Sequence, residues 1–191
     1  MGGGYLVEAL AFLTRTLFSL YILAVALRFL LQLARADFYN PISQLLIKMT
    51  DPALRPLRRI IPGYTGMDWP SIILLLLLLM LETVLTRLLL GLPLPAIASL
   101  FILACAEALQ MCIYIYIVVI LVQVIISWIN PGAYSPATVL LYELTEPLLS
   151  RARRLLPVVS GLDFSPLAVL VFLQLLLILL VKPLLALAYS I

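Results

Sequence analysis

The sequence predicts an all-α membrane protein with four transmembrane helices, arranged as two tandem, parallel helix–amphipathic loop–helix repeats. Three observations predict it. Of 191 residues, 65% are hydrophobic and only 11% are charged, against roughly a quarter charged in a soluble domain. So small a fold has too little interior to hide that much apolar surface, so lipid is its natural solvent. Four stretches, Ala11–Leu33, Ile72–Leu90, Leu109–Ile129 and Leu167–Tyr189, are each near the ~20 apolar residues a spanning helix needs. Finally, the chain repeats itself at a fixed offset of 95 residues.

The repeat is read directly from the loops. Tyr39-Asn40-Pro41 returns as Tyr134-Ser135-Pro136, and Thr50-Asp51-Pro52 as Thr145-Glu146-Pro147. Arg58-Arg59-Ile60-Ile61-Pro62 returns as Arg153-Arg154-Leu155-Leu156-Pro157, and Gly66-Met67-Asp68-Trp69 as Gly161-Leu162-Asp163-Phe164. The register holds without a gap. The first unit is therefore residues 1–95, with spans near 11–33 and 72–90 and an amphipathic loop at 35–70. The second is residues 96–191, with spans near 109–129 and 167–189 and a loop at 130–165.

Gly91-Leu92-Pro93-Leu94-Pro95 reads as a tight turn between the units. The stretch from Ala96 to Ile129 reads either as one tilted helix or as a short interfacial piece before a span. Eight of the twelve basic residues lie in the two large loops. The bias of Lys and Arg toward the cytoplasm then puts both loops inside and both termini on the periplasmic side. A five-span chain would split the loops across the membrane, against that bias. The first apolar stretch reads as a retained span, because no basic segment precedes it and it contains Arg15 and Arg28.

Within each loop, Asp51-Pro52 and Glu146-Pro147 read as helix starts, an acid followed by proline at the first helical position. Beyond them, Leu54, Leu57, Ile60 and Ile61 share one helical face, and Arg55, Arg58 and Arg59 the other. Leu149, Ala152, Leu155 and Leu156 repeat the apolar face, with Arg151, Arg153 and Arg154 as the basic set. These are interfacial amphipathic helices. Their arginines are expected to meet anionic headgroups, at on the order of 1 kcal/mol each, or a protein partner.

Arg28, Glu82 and Gln123 are the polar residues expected inside the membrane, where a charge marks function by default. Glu82 sits midway along its span, while its repeat counterpart is Leu177. Protonation, an ion pair with a cation such as Arg28, and an ion or proton site are the three readings of it. Arg87 and Lys182 are expected to snorkel outward. Asp68 and Asp163 read as helix caps, beside the aromatic anchors Trp69 and Phe164. Cys105 and Cys112 lie too far apart on a helix for a disulfide and read as core residues.

With no histidine, the usual general base and the usual zinc and haem ligand are missing. No nucleophile elbow, metalloprotease motif or phosphate loop is present either. The expectation is a non-catalytic protein without a cofactor. The weakly positive charge, +3, with no aromatic-laced basic run excludes nucleic acid. The expected partners are the bilayer with its anionic headgroups, a protein partner, or further copies of the chain.

The doubled loop resembles the YggT family of bacterial membrane proteins. The resemblance rests on Asp37-Phe38-Tyr39-Asn40-Pro41, on Asp51-Pro52, on Leu57-Arg58-Arg59-Ile60-Ile61-Pro62 and Gly66-Met67-Asp68, and on their second copies. It covers nearly the whole chain. Ser150 departs from it, standing where the first repeat has Arg55. The resemblance implies a multi-pass cytoplasmic-membrane protein without known enzymatic activity, associated with osmotic stress tolerance and ion homeostasis. Single-repeat relatives are associated with cell division, nucleoid or chloroplast organisation, and haem attachment to a cytochrome b. Two functions are therefore expected as alternatives. One is a membrane assembly or organising factor linked to osmotic tolerance. The other is a component of a potassium-type ion or osmolyte channel or transporter, motivated by Glu82 and by Gln123, Ser127 and Asn130 on one helix.

Overall fold

The computed structural model describes residues 3–61, 67–130, 132, 134–155 and 163–190. It is helical throughout, with no strand among those residues. The elements are α1 (Gly3–Leu33), α2 (Pro41–Ile60), α3 (Trp69–Leu89), α4 (Ile97–Ile129), α5 (Pro136–Leu155), α6 (Ser165–Leu176), a π-turn (Leu177–Val181) and α7 (Lys182–Ser190). Four helical stretches are long and apolar enough to cross a membrane: α1, α3, α4, and α6 continued through the π-turn into α7. Their outer faces carry exposed Leu, Ile, Val and Phe side chains, such as Leu17, Leu77, Val118 and Leu179. Water would not tolerate so broad an apolar belt, and lipid does.

The spans pack through small side chains. Ala24, Val25 and Ala26 of α1 and Ala104 and Ala106 of α4 are buried. Small residues let backbones approach closely where lipid supplies no hydrophobic push. Residues of both repeats share one core, with Ile22, Val25, Leu75 and Leu79 alongside Ile115, Val119, Leu140 and Leu144. A second cluster joins α4, α5, α6 and the π-turn through Ile120, Leu149, Leu173 and Val181.

Residues 97–129 form one helix, about 50 Å long at 1.5 Å per residue. This settles the choice between one helix and two. The turn before it is made as expected. Gly91 adopts φ +65°, and the Leu92 and Gly91 amides donate to Arg87 and Leu88 carbonyls, closing α3 with a left-handed residue.

The same closure ends α1, but without glycine. Arg35 holds φ +57° while the Ala36 and Arg35 amides donate to Leu31 and Gln32 carbonyls. An L-residue there is strained by roughly 1–2 kcal/mol.

The amphipathic helices begin earlier than expected. Asp51-Pro52 is not a helix start. α2 opens at Pro41, where the Asn40 side chain accepts the Ile42 amide, and it runs on through Pro52 and Pro56. Likewise α5 opens at Pro136 and contains Pro147. There Ser135 and Thr138 exchange side chain–backbone hydrogen bonds in a reciprocal cap. Each internal proline removes a helical N–H. The helix survives because its inner face is anchored: Ser43, Leu46, Thr50 and Leu54 are buried at helical spacing. Ile60 and Leu155 point away from the protein, 78% and 84% exposed, as residues dipping into lipid should. Leu156 and the segments 62–66 and 156–162 lie outside the described residues.

Pro183 explains the π-turn. Its ring excludes the carbonyl of Leu179 from normal helical bonding. The helix instead widens by one residue, so that the Lys182 amide donates to the Leu177 carbonyl.

Both large loops lie at one end of the bundle, where α2 meets α5. The Asn40 Nδ2 donates to the Pro136 carbonyl at 2.7 Å, and the Asp37 amide donates to Glu143 at 2.9 Å. At the other end, the Ser99 hydroxyl donates to the Ala188 carbonyl. The repeats are parallel.

Candidate functional site: a basic cleft at the loop end

Arg28 lies on α1, five residues before its end, about 8 Å into the membrane side. It is 7% exposed. Its Nη1 reaches the Thr50 hydroxyl at 2.6 Å and the Asp51 carboxylate at 2.8 Å. A desolvated guanidinium needs such partners. Arg28 therefore does not pair with Glu82, which was one of the readings of that acid. The second repeat keeps the tether and drops the charge: Thr145 donates to the Gln123 carbonyl oxygen. Asp51's counterpart, Glu146, turns to Arg153 at 2.8 Å instead.

Asp68 and Asp163 sit before the second and fourth spans and differ. Asp68 occupies the cap position of α3, but its side chain accepts no backbone amide there. It takes Arg58 Nη2 at 2.6 Å and the Ser71 hydroxyl at 2.7 Å. It is a buried ion-pair partner rather than a side-chain cap. Asp163 does accept a backbone amide, from Ser165 at 2.8 Å, one residue ahead of the Phe164 cap position. Arg153 Nε stands 3.3 Å from it.

The six loop arginines thus divide. Arg58 and Arg153 turn back onto Asp68 and Asp163, and Arg55 leans on Asp51 at 3.5 Å. Arg59, Arg151 and Arg154 are exposed and make no ion pair among the described residues.

Burial works to raise the Asp51 pKa, but the hydrogen bond and charge of Arg28, with Arg55 and Arg58, outweigh it and hold the carboxyl below its usual value. At Asp163 burial likewise opposes, and contact with Ser165 and the charge of Arg153 prevail. A depressed folded pKa contributes stability that is present above the unfolded value, about 3.9, and is lost as pH falls through the lower folded one. Acid unfolding in lipid nanodiscs should therefore steepen below about pH 4. Asp51→Asn should remove part of that dependence.

Between α1, α2 and the start of α3 these residues enclose a cleft of about 780 Å³. Arg28, Arg35 and Arg58 line it with Asp68, over a floor that includes Leu31, Leu46 and Pro70. Ser43 also lines it, 7% exposed, with its hydroxyl unpartnered. The second repeat has Gln123, Asn130 and Thr138 where Arg28, Arg35 and Ser43 stand, so two of the three arginines are lost.

A four-span helical membrane protein built from two parallel units, each with Arg–Asp pairs at its loop end, is the class this geometry defines. The family model described as CCB3/YggT matches it twice, at residues 7–89 and 102–184, segments that begin 95 residues apart. An uncharacterized protein of Pseudomonas aeruginosa is 42% identical over 159 residues, spanning 83% of this chain and 81% of the relative. The uncharacterized protein YggT of Escherichia coli K12 is 37% identical over 167 residues, 87% of this chain and 86% of that one. A protein of Vibrio alginolyticus is 36% identical over 168 residues, 87% and 90% of the two chains. No solved structure matches. The chain belongs to the CCB3/YggT family.

Proposed function

We propose that this protein is a non-catalytic organising factor of the bacterial cytoplasmic membrane, with its loops and clefted end cytoplasmic and both termini periplasmic. The link to osmotic tolerance is the one its family resemblance implies. The observation that carries the reading is the cleft: three guanidinia, of which Arg28 and Arg58 are paired with Asp51 and Asp68 and Arg35 is exposed, with an unpartnered buried hydroxyl over an apolar floor, at the level where headgroups lie. That combination fits the phosphate of an anionic phospholipid with part of its glycerol and chains. The exposed Arg59, Arg151 and Arg154 then face the leaflet or a protein partner.

Arg35→Gly tests the lipid part cleanly. Glycine relieves the left-handed strain, so the variant should be as stable as the parent or up to ~1 kcal/mol more stable. Native mass spectrometry of detergent-purified protein should show anionic phospholipid retained by the parent and depleted in Arg35→Gly. Equal retention would refute the cleft as a lipid site. For the partner face, replacing Arg59, Arg151 and Arg154 by Gln should leave insertion intact while crosslinked partners or cellular placement change. Unchanged partners and placement would count against an organising role.

The transport alternative is favoured by a separate observation, a polar chamber near the opposite end of the bundle.

A further inference from the structure

A second cavity, of about 340 Å³, lies between α1, α3, α4 and α7. Arg15, Glu82, Thr86, Arg87, Glu107 and Tyr189 line it. Sequence reasoning singled out Glu82 but did not bring it to Arg15 and Glu107. Glu82 is thirteen residues into α3, about 20 Å deep from the loop end in a ~30 Å hydrocarbon layer. Arg15, about 27 Å from the loop end of α1, and Tyr189, beside the last residue of α7, lie toward the termini.

The cavity holds two guanidinia and two carboxylates, yet among the described residues none of these opposite charges pairs within 4.0 Å. At low dielectric, opposite charges attract strongly and close up unless something holds them apart. Arg87 is held by its Nη1 hydrogen bond to the Pro93 carbonyl at 3.0 Å. Thr86 adds an independent sign. It is 3% exposed and its hydroxyl has no partner. Thr14, Thr16 and Thr50 each donate to the carbonyl four residues back, the usual resort of a helical threonine. Thr86 does not, and a buried unmet hydroxyl asks for a ligand. The counterparts of Glu82, Thr86 and Arg87 in the second repeat are Leu177, Val181 and Lys182, so the repeat fold does not require the first two to be polar.

We propose that this chamber binds a small zwitterion, a molecule carrying an ammonium and a carboxylate, of the amino acid or betaine class. Glu82 and Glu107 take the ammonium. Arg15 and Arg87 take the carboxylate, and the Thr86 hydroxyl completes its hydrogen bonds. A bare cation would meet Arg15 beside both acids, and a bare anion would meet the two acids, so neither uses the whole site. The proposal is independent of the lipid cleft.

The test is thermal unfolding and equilibrium binding of the full chain in nanodiscs. The probes are a millimolar mixture of the twenty common amino acids with glycine betaine, and separately propylamine and propionate. The expected result is a shift with the zwitterions, and binding roughly tenfold or more weaker for either half-molecule. Arg15→Gln, Glu107→Gln and Thr86→Val should each weaken zwitterion binding. No shift with the mixture would overturn the proposal, as would propylamine or propionate binding as well as the zwitterions. The half-molecule comparison needs only the parent protein, so it decides the question even where a variant fails to fold.

Discussion

Arg28→Leu should destabilise the protein by about 1.5–3 kcal/mol, because it removes the charge-assisted hydrogen bonds that the buried guanidinium makes to Asp51 and Thr50. Asp51, itself 24% exposed, then keeps Arg55, 3.5 Å away and 77% exposed, and the charge of Arg58, weak substitutes for a direct buried partner. Reversible unfolding in mixed detergent, with the first span reported by hydrogen exchange, would measure the loss. The double variant Arg28→Leu with Asp51→Leu should recover part of it, since the carboxylate is then no longer left without its partner. Thr50 keeps its own bond to the Leu46 carbonyl at 2.6 Å and needs no rescue. Arg28→Gln copies the second repeat and should cost less than the leucine. A leucine variant as stable as the parent would mean that the tether does not hold α2 on α1.

Arg58→Ala should cost about 2–3 kcal/mol, whereas Arg153→Ala, at the same place in the second repeat, should cost about 1 kcal/mol or less. Local sequence does not foretell the difference, since both arginines face an aspartate ten residues on. Burial does. Asp68 is 5% exposed, and losing Arg58 leaves it, among the described residues, Ser71's hydroxyl. Arg153's two partners, Asp163 and Glu146, are 46% and 30% exposed, so water can replace Arg153 at both. The two variants unfolded side by side decide it: equal losses would show that the repeats share more than their sequence register.

The spans, the tandem units and the placement of both loops at one end were all legible in the sequence, because they depend on hydropathy and on a register without gaps. The Arg28–Thr50 tether was not legible. Threonine stands at both 50 and 145 while Arg28 becomes Gln123, and a fixed 95-residue offset keeps every such spacing equal, so the sequence did not mark the contact. Simple depth arithmetic does separate Glu82 from Arg28. One lies about 20 Å and the other about 8 Å from the loop end, a gap of about 12 Å, longer than an ion pair. The course of α2 was not legible. Asp51-Pro52 has every local mark of a helix start, and burial of Thr50 and Leu54 overrides it. Nor was the outer chamber, because Arg15, Glu82 and Glu107 come from three helices whose mutual rotation no periodicity reports.

Each unit crosses the membrane twice, so the first helix begins and the last one ends at the same face. Arg15 and Tyr189 line one cavity there, close to the Ser99–Ala188 contact. The linear order of the two units is therefore an accident of where the chain is cut. Joining residue 190 to residue 3 through a flexible linker, and opening the chain in the turn at Gly91–Pro95, would yield a circular permutant that reads second unit first. It would insert with unchanged sidedness and rebuild both cavities from the same side chains.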